Sequence, residues 1–304
     1  MTAPRITAAS WAMIAVLGLT WGGTFLVTEL GLEGLTPFWL AAGRIVFATC
    51  VMVAIWRLRG GALFHAPPAR GTWLSVLAIG GFSTAIPFCL LAWGQQYVTA
   101  GFAGVSMASV ALIVLPLAHV FVPGERMTLR RTIGFLIGFA GVCVLIGGTA
   151  MDSTGARLET LGRIACVGAA CCYGISSILM RRLPTVDPIG LATVLLIIAA
   201  AMTVPIAFAL EGPPPLPDPR TLLIVAFLGL VPTAMANFLR VMVIRTAGPV
   251  FMSLTNYQVP LWSVLLGAWL LNEPLPPTLL SAMALILGGV ALSQLGALRR
   301  LFGR

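Results

Sequence analysis

The sequence predicts an all-α polytopic membrane protein. Its ten transmembrane helices form two inverted five-helix repeats, with the N- and C-termini cytoplasmic. Three observations predict this. The 304 residues are 59% hydrophobic and only 9% charged, with a mean hydropathy of +1.01; a soluble domain carries about 25% charged residues and could not expose so much hydrocarbon to water. Apolar runs of about 20 residues, the length that crosses a hydrocarbon layer of ~30 Å, recur along the whole chain. Short motifs of the first half also return, in order, in the second.

The runs fall at approximately 9–28, 37–56, 72–94, 100–122, 132–150, 164–180, 189–210, 221–240, 249–271 and 276–296. Pro, Gly and charge punctuate them, as at Ala66-Pro67-Pro68 and Gly212-Pro213-Pro214-Pro215. The first run follows Arg5 and could mimic a secretion signal. It lacks a small-x-small cleavage site and continues into Glu29 and a second run, so it reads as the first helix.

Orientation follows from the arginines, which are all 18 of the basic residues. With a cytoplasmic N-terminus, fourteen of them (5, 57, 59, 70, 126, 130, 131, 181, 182, 240, 245, 299, 300 and 304) fall on the cytoplasmic side. Only Arg157, Arg163 and Arg220 fall opposite, and Arg44 lies within a run. The acids show the reverse bias, with only Glu125 and Asp187 inside.

The internal repeat sets the architecture. Trp21-Gly22 lines up with Tyr173-Gly174, Thr84-Ala85 with Thr233-Ala234, Thr99-Ala100-Gly101 with Thr246-Ala247-Gly248, and Gly141-Val142 with Gly289-Val290, at offsets of 147–152 residues. Glu125 and Glu273 follow their Ala-Gly at nearly the same distance. Residues 1–150 and 151–304 thus form the two copies. Five spans per copy is an odd number, so the second enters the membrane upside down. Inverted repeats are a transporter architecture, with the substrate site near the midplane where the halves meet.

These residues also carry a resemblance. The aromatic-Gly of each first helix, the Thr-Ala-Gly that opens each fourth (Tyr97 to Gly101; Ile244 to Gly248), the Gly124-Glu125 and Asn272-Glu273 that close it, and the Gly-rich fifth resemble the EamA-type members of the drug/metabolite transporter superfamily. The likeness covers nearly the whole chain and extends to the amino-acid exporters of the group, including the aromatic amino-acid exporters of the YddG type. It implies a multi-pass protein of the bacterial inner membrane, alternating access, and a path lined by the first, third and fourth helices of each repeat. Nucleotide sugars, triose phosphates, purines and drugs also belong to the superfamily's substrates.

Polar residues within spans are expensive and usually face a cavity or a partner helix. On the ninth span Ser253, Asn256, Pro260, Ser263 and Gly267 share a stripe, flanked by Tyr257, Gln258 and Trp262. The first span offers Trp21, Thr24 and Phe25, the third Ser83 and Thr84, the sixth Tyr173 and Ser176, and the eighth Asn237. Together these are the candidate substrate-binding residues. Their hydrogen-bonding groups beside aromatic rings suit a neutral or zwitterionic metabolite with a flat or greasy side chain. Interhelical packing, backbone-bonded Thr and an interfacial anchor at Trp21 account for the same residues individually. Pro87, Pro116 and Pro260 are candidate hinge or gating positions. Arg44 lies about seven residues into the second run; a guanidinium there suits a carboxylate, but the second helix is expected to be peripheral to the path, which favours snorkelling or a bond to a carbonyl. Gly134-x-x-x-Gly138 permits close helix approach, either within the bundle or at a dimer face.

Composition excludes much else. Without lysine there is neither a Walker phosphate loop nor a pyridoxal Schiff base. Arginines scattered between spans argue against nucleic-acid binding, despite a net charge of +9. No span contains aspartate, and no His-Glu motif occurs, so an intramembrane enzyme is not expected. Nor is a cofactor or a metal. All nine acids fall at span ends or in loops, which favours a facilitator or exchanger over a carrier driven by a buried carboxylate. The expected partners are lipid and a small-molecule substrate, most readily amino acids, bound by a monomer or homodimer. A channel built on the same fold is the main rival to a carrier.

Overall fold

The computed structural model describes residues 6–64, 71–122, 127–147, 157–184, 186–247, 249–252 and 254–302. They are almost wholly helical. In chain order the helices are α1 (Ala8–Leu32), α2 (Pro37–Leu58), α3 (residues 72–94), α4 (Ala100–Phe121), α5 (Leu129–Gly147), α6 (Glu159–Arg181), α7 (Pro188–Glu211), α8 (residues 219–246), α9 (residues 249–252 and 255–270) and α10 (Pro277–Phe302). Nine helices among the described residues are long and apolar enough to cross a membrane unbroken, and α9 supplies a tenth, interrupted crossing. The protein is a multi-pass membrane protein.

Local signals place the helix starts. Thr7 and Ser10 form a capping box ahead of α1. Asp187 and Asp218 cap α7 and α8 and are followed by Pro188 and Pro219, whose fixed φ suits a first turn. Thr99 opens α4 by accepting from Phe102 N at 3.2 Å, which explains the Thr of the first Thr-Ala-Gly.

Some spans differ from expectation. The ninth is not one continuous helix. At Leu254 the backbone tightens to i→i+3 bonds, and the Thr255 hydroxyl takes the Met252 carbonyl at 2.8 Å, so side chain competes with the helical ladder. Helix α6 starts at Glu159, earlier than its apolar run, because Glu159 and Arg163 pair one turn apart and bury each other. Helix α10 runs on to Phe302, beyond its apolar stretch. Gly124, Glu125, Gly248 and Ser253 lie outside the described residues.

Packing repeats as the sequence does. Helix α1 packs on α9 and α8, and α6 packs correspondingly on α4 and α3. Helices α4 and α9 cross each other, α2 lies on α7, and α5 lies on α10. The glycine face of α5 is used inside the chain: a Cβ on Gly134 would meet Gly289 O at 2.6 Å and Ser293 N at 2.8 Å, and one on Gly138 would strike Leu112. That face is therefore not free for a second copy. The first, third and fourth helices of each repeat form an inner ring in the order α3, α6, α4, α9, α1, α8. Helix α2 packs against both α8 and α3, closing the ring between its two ends.

Two glutamates tie the repeats together. Glu273, after α9, accepts from Ala100 N at 2.6 Å and Gly101 N at 2.9 Å at the start of α4. Glu211, ending α7, accepts from Thr36 Oγ1 at 2.6 Å and from Phe38 N and Trp39 N at the start of α2. Each satisfies helix-terminal amides that have no partner within their own helix.

Candidate functional site

Both third helices break their α-helical pattern at repeat-equivalent places. In α3, Gly81–Ala85 form a π-helical turn just before Pro87; in α8, Leu230–Met235 form another around Pro232. Proline explains the second directly. Pro232 has no N–H for the carbonyl of Leu228, and the Thr233 hydroxyl takes its place at 2.9 Å. Further donors gather on the widened turn. Trp21 Nε1 donates to Pro232 O at 3.1 Å, and Asn237 Nδ2 to Thr233 O at 2.6 Å. On the matching turn of α3, the Ser83 and Thr84 hydroxyls lie 3.3 Å apart. Such π turns concentrate at functional sites because they free carbonyls and re-aim side chains.

The structure distributes the sequence-selected residues unevenly. Trp21 joins α1 to the α8 turn, so it is not a membrane-surface anchor. Phe25 is buried in the core with Phe102 and Val264. Thr24 spends its hydroxyl on Thr20 O at 2.9 Å, within α1. On α9, Gln258 faces Gly18 of α1, where an added Cβ would come within 2.6 Å of its Oε1. Trp262 packs over Gly22, and Tyr257 packs on the central core while its buried hydroxyl has no hydrogen-bond partner. Asn256 is exposed and does not join these residues. Ser263 bonds Ala100 O at 3.3 Å across the α4–α9 crossing, which is helix-to-helix glue. On α6, Ser176 bonds the carbonyl of Tyr173 at 2.9 Å, whereas the Tyr173 ring is partly exposed. Of the hinge candidates, Pro87 adjoins a π turn, but Pro116 and Pro260 sit inside continuous helix.

Three further features stand out, and of these only Arg44 was singled out in the sequence. Gln95, buried after α3, donates to Phe25 O at 2.8 Å and leaves its Oε1 without a partner. Glu29, in the last turn of α1, accepts from Ala100 N at 3.2 Å beside Glu273, so two carboxylates converge on one amide. Arg44 of α2 is only 8% exposed; its Nη2 donates to Thr233 Oγ1 at 3.3 Å and its guanidinium lies 4.3 Å from the Phe88 ring centre. Its depth in the run was the only signal in the sequence. A buried polar atom with no partner costs about 1–3 kcal/mol, so the free atoms of Arg44, Gln95 and Tyr257 mark where a ligand or water would be gained. Among the described residues no cluster of three or more His, Cys, Asp or Glu could hold a metal.

Comparison with known proteins gives a consistent picture. The model of the EamA-like transporter family matches residues 7–147 and again 160–295. An uncharacterized inner membrane transporter of Escherichia coli K12, YedA, is 28% identical over 286 residues, covering 92% of this chain and 89% of its own. A probable terminal-alkyne amino-acid exporter of Streptantibioticus cattleyicolor is 30% identical over 155 residues, half of each chain. One solved crystal structure superposes with a TM-score of 0.64 at 25% identity, covering 98% of this chain and all of the other.

Proposed function

Because the chain belongs to the EamA-like transporter family, and is therefore a membrane transporter, we propose that it carries small neutral or zwitterionic metabolites by alternating access. The foremost substrates are amino acids with aromatic or hydrophobic side chains, exported across a bacterial inner membrane. One observation carries this reading: π turns break α3 and α8 at corresponding points of the two repeats, and both lie on the inner ring of helices. Irregular helices at matched positions of inverted repeats are where such carriers hold substrate, since irregular backbone in a membrane belongs beside a cavity.

Around those turns the Trp21 indole and the Thr233 hydroxyl are already donated to backbone carbonyls, which leaves the second amide hydrogen of Asn237 and the free Tyr257 hydroxyl to meet a ligand, beside the rings of Trp21 and Tyr173. They offer hydrogen bonds together with flat apolar surface, the combination that orients an aromatic or aliphatic amino acid. The Streptantibioticus relative named as a probable terminal-alkyne amino-acid exporter supports the substrate class, and the inner-membrane relative supports the location. The arginine bias of the loops supports cytoplasmic termini. With no acid in the middle of a span, the carrier works as a facilitator or exchanger.

The test is counterflow in proteoliposomes of the purified protein, using labelled amino acids, nucleosides and sugar phosphates. The expected result is saturable uptake of aromatic or branched-chain amino acids, accelerated by unlabelled substrate on the far side. Uptake confined to nucleosides or sugar phosphates overturns the substrate class, and flux without trans-acceleration replaces the carrier by a pore.

A further inference from the structure

We propose that Arg44 is the carboxylate-binding residue of the transport path, an anion subsite contributed by a helix outside the set that lines it. The inference deepens the amino-acid reading and rests on it for the choice of substrate.

A guanidinium held in the membrane is costly unless something faces it. Arg44 is more than nine-tenths buried, its Nε donates to nothing, and it has no ion-pair partner among the described residues. It does not snorkel to a headgroup. Instead it reaches between the two ends of the ring, to Thr233 on the π turn of α8 and to Phe88 one turn beyond the π turn of α3. One cationic group thus links the π turn of α8 to the stretch of α3 just beyond its own π turn, with a hydrogen-bond donor left over.

The repeat shows that the fold does not need this arginine. A Cβ on Gly229 would meet Arg44 O at 2.9 Å and Phe47 Cβ at 2.9 Å; one on the equivalent Gly80 would meet Leu195 O at 3.4 Å and Ile198 Cβ at 2.9 Å. Arg44 therefore corresponds to Leu195, and Phe47 to Ile198. The same helix crossing is built twice, once with leucine and once with arginine. A charge that packing does not require, aimed at the path and short of a counter-ion, is a receptor for an anionic group. Arg pairs with a carboxylate through parallel N–H donors, while the Phe88 ring beside it supplies surface for the rest of the molecule. The resulting ligand is a compact carboxylate carrying an apolar or aromatic side chain.

The experiment compares wild type, Arg44→Leu (the residue of the second repeat) and Arg44→Lys in proteoliposomes. The probes are phenylalanine, its carboxamide and its decarboxylated amine, phenethylamine. Thermal melting with benzoate against benzamide serves as a second readout. The expected result is that wild type prefers phenylalanine and is stabilised by benzoate only. In Arg44→Leu, phenylalanine flux falls about 30-fold or more, carboxamide flux falls far less, and the melting midpoint without ligand stays near that of wild type. Arg44→Lys, keeping charge without the fork, falls between.

Equal phenylalanine and carboxamide flux in wild type, or undiminished phenylalanine flux in Arg44→Leu, overturns the inference while leaving amino-acid transport standing. A wild type that carries no amino acid but carries benzoate in an Arg44-dependent way overturns the amino-acid reading and upholds the subsite. Should Arg44→Leu fail to fold, the benzoate–benzamide comparison on wild type decides alone: equal or absent stabilisation overturns the subsite.

Discussion

Gly104 and Ser263 meet where α4 crosses α9, and a methyl group is more than the contact can hold. A Cβ built on Gly104 would overlap both Oγ and Cβ of Ser263, and the Cβ cannot swing away as a side-chain tip can. Gly104→Ala should lower stability by about 1–3 kcal/mol, the usual cost of overpacking. Adding Ser263→Gly should recover much of that loss, as melting of the single and double variants in detergent would show; additive losses would contradict the contact. Both residues were visible in the sequence only as a small residue and a polar one within spans. Which way a side chain faces depends on the neighbouring helix, and the apparent stripe of Ser253, Asn256 and Pro260 crosses the interruption at Leu254. Asn256 is accordingly exposed, whereas Tyr257 and Gln258 reach the core and α1. Thr24 illustrates the opposite limit, a polar residue satisfied by its own helix.

Among the helices, proline was legible as a signal but its effect was not. Pro116 and Pro260 are absorbed into continuous helix, while Pro87 and Pro232 accompany π turns. At Pro232 a hydroxyl stands one residue on and bonds Leu228 O, which makes the wider turn stable. Pro232→Ala restores the missing amide and should tighten α8 toward a regular helix. Proline in a helix interior costs about 3 kcal/mol, and the π turn already relieves part of that. The expected gain in stability is on the order of 1 kcal/mol, accompanied by slower counterflow as α8 loses its widened turn. A variant with wild-type turnover would show that the turn does not take part in transport.

Across the whole molecule, the repeat was readable because short motifs such as Thr-Ala-Gly recur where the third helix of each copy passes into the fourth, and in the first copy their task is plain. Thr99 caps α4, and small residues after it let a carboxylate approach the first amides; a Cβ on Gly101 would already stand 3.0 Å from Glu273. Symmetry in the sequence therefore reported symmetry in packing, including the ring of inner helices. It was blind to Arg44 for the same reason. A residue that replaces leucine in only one copy leaves no repeated pattern, and its inward reach depends on α2 filling the space between α3 and α8.

The exchange of glutamate caps between the repeats has a consequence for how the protein can be divided. Glu273 closes the start of α4 and Glu211 the start of α2, so the amino-terminal half borrows two of its helix caps from the carboxyl-terminal half. The loop joining the halves is not what keeps them in register. A gene split near residue 150 should yield an amino-terminal fragment that is degraded when expressed alone. Co-expressed with its complement, it should be recovered as a purifiable complex that transports. If the amino-terminal fragment accumulated stably without its complement, the borrowed caps would be dispensable, and the two halves would be neighbours rather than parts of one another.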